Sequence, residues 1–159
     1  MKKYKLTEET ITIERNGAEI TLHRIQALRN FWCIKAGDLG GYVESEGNLS
    51  HEGDCWIYGD AEVYGNAEIY DNAKVYGNAK VYGETEVYDN AWICGNAKVC
   101  GNTHIRNYAR VFDTAKVCDN AEVYENALIY GDAIIYGNSR VCGNSRVCGN
   151  SELCSSTIR

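Results

Sequence analysis

The sequence has no apolar run long enough to span a membrane. No apolar segment follows Met1-Lys2-Lys3, so a secretory leader is not expected and the cytoplasm is the expected compartment. Positive charge is in the minority: 16 Lys and Arg stand against 22 Asp and Glu, a net charge of −6. Generic nucleic-acid binding by phosphate neutralisation is therefore disfavoured. The chain has eight cysteines but no CxxC pair, so a zinc site with four convergent ligands is not expected. Only His23, His51 and His104 could serve as a histidine general base. No cofactor or metal is expected.

What the sequence does contain is a repeat. From Cys55 to Ser156 a six-residue unit recurs seventeen times without a gap. A typical copy is Ala73-Lys74-Val75-Tyr76-Gly77-Asn78. The third position is Val, Ile or Leu in every copy, and the first is Ala, Ser, Thr or, once, Cys55. Such a unit is long enough for a short strand and a corner, and it buries its apolar face only by stacking on copies of itself. Side chains alternate along a strand, so positions one and three point inward and position two outward. Gly or Asp dominates position five and Asn position six, residues that accept a positive φ. Three corners close a triangle of eighteen residues, and seventeen units make nearly six coils. At about 4.8 Å per coil the prism is roughly 30 Å tall.

This pattern resembles the hexapeptide-repeat family, whose fold is the left-handed parallel β-helix. The hand is implied by that resemblance. The position after the inner aliphatic departs from the family: here it is Tyr nine times, Cys six times, and once each Phe112 and Arg106. Runs such as GNAKVYGNAKVYG, and the leader GDLGGYVESEGNLSHEGDCWIYG, are similar to the YdcK-type subgroup of bacterial and phage proteins. Members of that subgroup mostly lack an assigned activity.

The expected fold class is all-β: a triangular solenoid of about six coils with a small N-terminal cap. Residues 1–36 lie outside the repeat. Ile11, Ile13, Ile20 and Leu22 alternate with polar residues around Asn16-Gly17, which predicts a β-hairpin from about Thr10 to Arg24. Ile25 to Phe31 continues as strand or forms a short helix. Residues 37–54 have the length of one coil, with Leu39, Val43 and Leu49 as apolar candidates and a turn at Gly40-Gly41. The repeat occupies 55–156, and 157–159 is read as a tail. The prism's C-terminal end is thus expected to be bare. An end-to-end homodimer through Leu128, Tyr130, Ile134 and Tyr136 is the simplest way to cover it. Six cysteines occupy the Tyr column, and only Cys100 and Cys118 lie one coil apart on one face, so free thiols are expected.

Residues eighteen apart stack, so the outward columns can be read directly. Face one gives Trp56, Lys74, Trp92, Arg110, Leu128 and Arg146. Face two carries Lys80, Lys98 and Lys116. Face three gives Glu68, Glu86, His104, Glu122, Arg140 and Ile158. Trp56, Tyr58, Lys74, Tyr76, Trp92, Arg110 and Phe112 then form an aromatic–cationic plate suited to a planar anion such as a nucleotide, or to a partner protein. The plainer alternative is ordinary strand surface, with Trp56 packed under the hairpin. His104, between Glu86 and Glu122, is a weak catalytic candidate.

The function expected is a non-catalytic binding or scaffold protein, because rigid solenoids present extended faces to partners. The phage or bacterial resemblance implies an inhibitor or a ligand-sequestering protein. The alternative is a hexapeptide-type acyltransferase. The register itself is testable. Val99→Asp places an unpaired charge in the core and is expected to unfold or aggregate the protein. Lys98→Asp, its outward neighbour, is expected to be tolerated. Equal thermal melting of the two variants would overturn the assignment.

Overall fold

All residues from Met1 to Arg159 are described in a computed structural model. Strands β1 (Tyr4–Arg15) and β2 (Ala18–Ala27) form an antiparallel hairpin, and β3 (Leu39–Val43) pairs with β2. Eighteen further strands of two or three residues each run from Trp56–Ile57 to Thr157–Ile158. They build three parallel sheets, one per side of a triangular solenoid. Faces one and three hold six strands each; face two holds nine, because its six solenoid strands continue through β3 into the hairpin.

Pairing within each face joins residues eighteen apart, as in Lys74↔Trp92↔Arg110 on face one. Position three is fully buried in every copy from Ile57 to Val141, and position one from Cys55 to Ser139. The core is therefore a column of Val and Ile beside a column of Ala. Each buried Val or Ile contributes about 1.5–3 kcal/mol.

Every fifth position from Gly59 to Ser155 has a positive φ, between 48° and 82°. Where the residue is not glycine, its side chain does further work. The backbone N–H of Gly137 donates to Asp119 at 3.0 Å, and that of Gly131 to Asp113 at 3.0 Å. Asp71, Asp89, Asn107 and Glu125 accept the corresponding N–H one coil on. These N–H groups lie outside the strand pairing, so the acceptor offsets the cost of a left-handed side-chain-bearing residue.

Position four leans over the corner, half-buried, and its rings stack coil on coil. Centroids are 4.4 Å apart for Tyr58–Tyr76, 5.0 Å for Tyr64–Tyr82 and 4.9 Å for Tyr70–Tyr88. Burial pushes the Tyr82 phenol up to about 12, helped by its hydrogen bond to Cys100. Burial likewise pushes the Cys118 thiol up to about 11. All eight cysteines are free thiols.

The structure corrects the sequence reading at four places. The hairpin is longer than Thr10–Arg24, and Ile25 to Ala27 continues as strand. The first coil pairs at a spacing of twenty, as in Val43↔Val63 and Leu49↔Ile69, and Leu39 is 53% exposed rather than inside. Gly40 and Gly41 do not turn; they lie within β3 where it presses on the next coil. A Cβ on Gly41 would stand 2.5 Å from the carbonyl oxygen of Ala61. Finally, Thr157–Ile158 is no tail but a face-three strand, pairing Val141↔Ile158 at a spacing of seventeen. One residue is dropped near Ser155, so Ile158 takes the inner register rather than the outward column.

The open edge of the first coil is covered differently on each face. β3 pairs with face two. On face three, Asn48 donates to the carbonyls of Gly65 at 3.0 Å and Ala67 at 2.9 Å. On face one, the buried Lys3 ammonium donates to the Cys55 carbonyl at 2.9 Å and reaches those of Glu52 and Gly53.

Two measurements follow. Gly41→Ala is expected to cost about 1–3 kcal/mol or more by overpacking against backbone. Gly47→Ala, whose Cβ meets only Ser45 Oγ at 3.4 Å, is expected to stay within about 0.5 kcal/mol of the parent. Equal urea midpoints for the two variants would refute the close approach. Stability is also expected to fall as pH rises from about 10 to about 12. The buried phenols and thiols stay neutral there while the unfolded chain ionises, so the unfolded state binds fewer protons. Burial lowers Lys3 and Lys74, which oppose this up to their ordinary value of 10.5. The raised phenols and thiols outnumber them. Urea midpoints by circular dichroism that stay flat to pH ~11.5 would contradict the ring burial.

Candidate functional site

The outward column of face one does not form the continuous plate expected. Trp56 is fully buried, under Phe31 at 5.3 Å and Tyr4 at 6.2 Å. It belongs to the cap, because the first coil supplies no face-one strand and aromatic rings fill that place. Lys74 is only 3% exposed. Its ammonium donates to the carbonyls of Asp54 and Asn72 and lies 4.7 Å from the Trp32 ring. Burial lowers its pKa, partly opposed by Cys55 and Asp54.

Trp92 and Arg110 stay outside, the guanidinium lying 4.6 Å from the indole. The Arg110 guanidinium makes no ion pair and no hydrogen bond within the chain. Tyr58, Tyr76 and Phe112 lie beside this column in the ring stacks of the next corner, where Tyr76 meets the Trp92 ring edge-on at 5.8 Å and Phe112 stacks on Tyr130 at 5.0 Å.

On the near side lies a cavity of about 310 Å³, lined by Trp32, Asp54, Asn72, Lys74, Asn90, Trp92, Tyr108 and Arg110. The repeat positions its floor and one lip. Lys74, Trp92 and Arg110 are second-position residues of three successive coils. Asp54, Asn72, Asn90 and Tyr108 are the corner residues preceding face one, again one per coil. Asn72 donates to Asn90 Oδ1 at 3.4 Å, and Tyr108, where the next asparagine would stand, ends that row and projects at 62% exposure.

Trp32 closes the other end. It sits in a two-residue turn between Phe31 and Ile34, which exchange backbone hydrogen bonds of 3.0 and 2.8 Å. Its φ is +43°, a conformation that favours glycine at this place in a tight hairpin. A bulky ring held there costs of order 1–3 kcal/mol, and such strain concentrates at working sites.

Sequence reasoning therefore found Lys74, Trp92 and Arg110 and missed Trp32 and Tyr108. Tyr108 carried a signal, being the one aromatic at a sixth, corner position of the repeat. Trp32 carried none that periodicity could reveal, because it lies outside the repeat.

His104 lies on face three, 3.8 Å from Glu86, whose carboxylate also accepts the Tyr70 hydroxyl at 2.7 Å. It lines none of the three cavities. His51 stacks on Tyr4 at 4.3 Å and lines a second cavity with Glu46, Glu68 and Tyr70. His23 faces the Thr7 carbonyl at 3.2 Å. Leu128 and Tyr130 belong to face one and its corner, Ile134 and Tyr136 to face two and its corner, all half-buried. They wrap an edge of the prism rather than share one face.

No helix is long and apolar enough to cross a membrane. No curated protein matches the chain. Residues 127–143 match the family described as YdcK beta solenoid repeat. That segment contains one strand of each face, Leu128–Ile129, Ile134–Tyr136 and Arg140–Val141, and so is nearly one full coil. The coils before it repeat its register residue for residue. With that repeat matched in one coil and its register carried through the stack, the chain is a β-solenoid whose repeat is similar to the YdcK-type repeat.

Proposed function

We propose that this chain is a non-catalytic binding protein, a rigid solenoid whose working surface is the face-one groove between Trp32 and Tyr108. One observation carries the reading. The exposed large hydrophobic residues include three aromatics, Trp32, Trp92 and Tyr108, and all three line this one cavity. Scattered exposed apolar residues are ordinary, but convergent ones mark interaction sites. Lys74 and Arg110 in the same cavity have no carboxylate partner within ion-pair distance, which favours an occupant that brings negative charge. A ligand-sequestering or inhibitor role suits such a surface.

The test compares variants of the two outer faces. Nucleotides and host extract are screened by thermal shift, and the stabilising fraction is titrated against each variant. Trp92→Ala is expected to lose about 2 kcal/mol of binding, roughly thirtyfold, with its fold intact. Glu68→Ala, outward and exposed on face three, is expected to bind as the parent does. Equal losses in the two variants, or none in Trp92→Ala, would mean that face one is ordinary strand surface.

A further inference from the structure

The groove has a polarity as well as an aromatic lining. Asp54 stands at one end and Arg110 at the other, separated by three coil steps (54, 72, 90, 108) in the corner row, about 14 Å at ~4.8 Å per coil. The carboxylate of Asp54 accepts no hydrogen bond within the chain. The guanidinium of Arg110 lies over the Trp92 ring, 4.6 Å from its centroid, with its N–H groups unpaired. A guanidinium fixed in this way presents two parallel donors to a phosphate or carboxylate.

Between these ends lie ring faces and two side-chain amides. Asn72 and Asn90 bond weakly to each other at 3.4 Å, leaving the Asn72 oxygen without a donor and the Asn90 amide without an acceptor. The groove thus offers, in order, an acceptor of donated protons, a mixed donor and acceptor, stacking surface, and an anion-binding fork. A volume of about 310 Å³ is at the small end for ligand sites, which favours a mononucleotide over a dinucleotide. A neutral aromatic would leave Arg110 unanswered. A sugar phosphate would leave the three ring faces without a planar partner.

We infer that the groove binds a nucleoside monophosphate whose base carries an exocyclic amine, with the phosphate on Arg110, the base against Trp32, Trp92 and Tyr108, and the amine donating to Asp54. This assignment rests on the binding role proposed above and narrows it to one ligand class. Lys74 adds positive charge beneath the base without touching the phosphate, because two of its donors are already held by carbonyls. The strained Trp32 turn is part of the device: it sets a ring at the mouth of the groove that an unstrained glycine turn could not provide.

The experiment is calorimetric titration of the full chain with AMP, IMP and adenosine. AMP is expected to bind. Adenosine, which lacks the phosphate, is expected to bind at least tenfold more weakly. IMP, which presents a carbonyl in place of the amine, is expected to bind severalfold more weakly. Arg110→Gln is expected to abolish the preference for AMP over adenosine, and Asp54→Asn the preference for AMP over IMP. Trp32→Gly relieves the positive-φ strain, so it is expected to melt at or above the parent temperature while losing tenfold or more in AMP affinity. A merely structural Trp32 would show no such split.

No binding of AMP at millimolar concentration, equal binding of adenosine, or an unchanged preference in Arg110→Gln would overturn the assignment. If AMP is silent but host extract still stabilises the parent and not Trp92→Ala, the ligand class is wrong and the binding role stands. Capture of a protein by the groove would be one such outcome. If Trp92→Ala matches the parent with every source, the binding role falls as well.

Discussion

The stack depends on a left-handed residue at every sixth place. An extended chain turns inward three times per coil only if a corner residue takes a positive φ, and each position from Gly59 to Ser155 does so. Most are glycine, and the corners approach one another closely. A Cβ on Gly101 would lie 2.6 Å from the Asp119 backbone. Where the chain uses Asp, Asn or Glu instead, the side chain accepts an N–H from the next coil. The corner is therefore both a bend and an extra bond between layers, worth about 0.5–1.5 kcal/mol where neutral and more where charged. Core columns, ring stacks and outward faces all inherit their alignment from this regular bend.

A regular stack leaves the groups at its first edge unpaired, and the chain meets that cost with three unlike devices. A strand extends face two, an asparagine amide serves face three, and a buried ammonium with a set of aromatic rings closes face one. The last of these shapes the groove. Phe31 covers Trp56, and the tight turn that brings Phe31 and Ile34 together throws Trp32 out over Lys74. The groove's other wall, Tyr108, comes from the one unit that carries an aromatic ring at the sixth, corner position. Both walls arise where the repeat gives way, while the floor between them is strict repeat. A periodic surface is uniform along its length, so a localised site needs such interruptions.

Particular residues show how far the sequence could be read. Lys74, Trp92 and Arg110 were legible as one outward column, because stacking at eighteen residues follows from spacing alone. Trp56 occupies the same column and yet is buried, because the cap covers it and the repeat says nothing about what lies beyond its first coil. Gly40-Gly41 reads as a turn by composition. The structure needs those glycines for room, since β3 lies against Ile57 and Ala61. Ile158 was placed outward by counting, and a single dropped residue moved it inward.

The sequence by itself determined what is periodic: the inner columns, the corners, the three faces and the pairing register. These follow from local rules applied identically in each copy, alternation along a strand and a positive φ at each corner. Only the tertiary structure decided what the aperiodic segments do. Residues 1–54 have no internal copy to compare against, and their roles depend on which unpaired edge they meet. Lys3, Asn48, Trp32 and Trp56 acquire their partners from segments far away in the chain, and no spacing rule connects them. The candidate site lies at that junction, half written in the repeat and half set by the way the cap closes it.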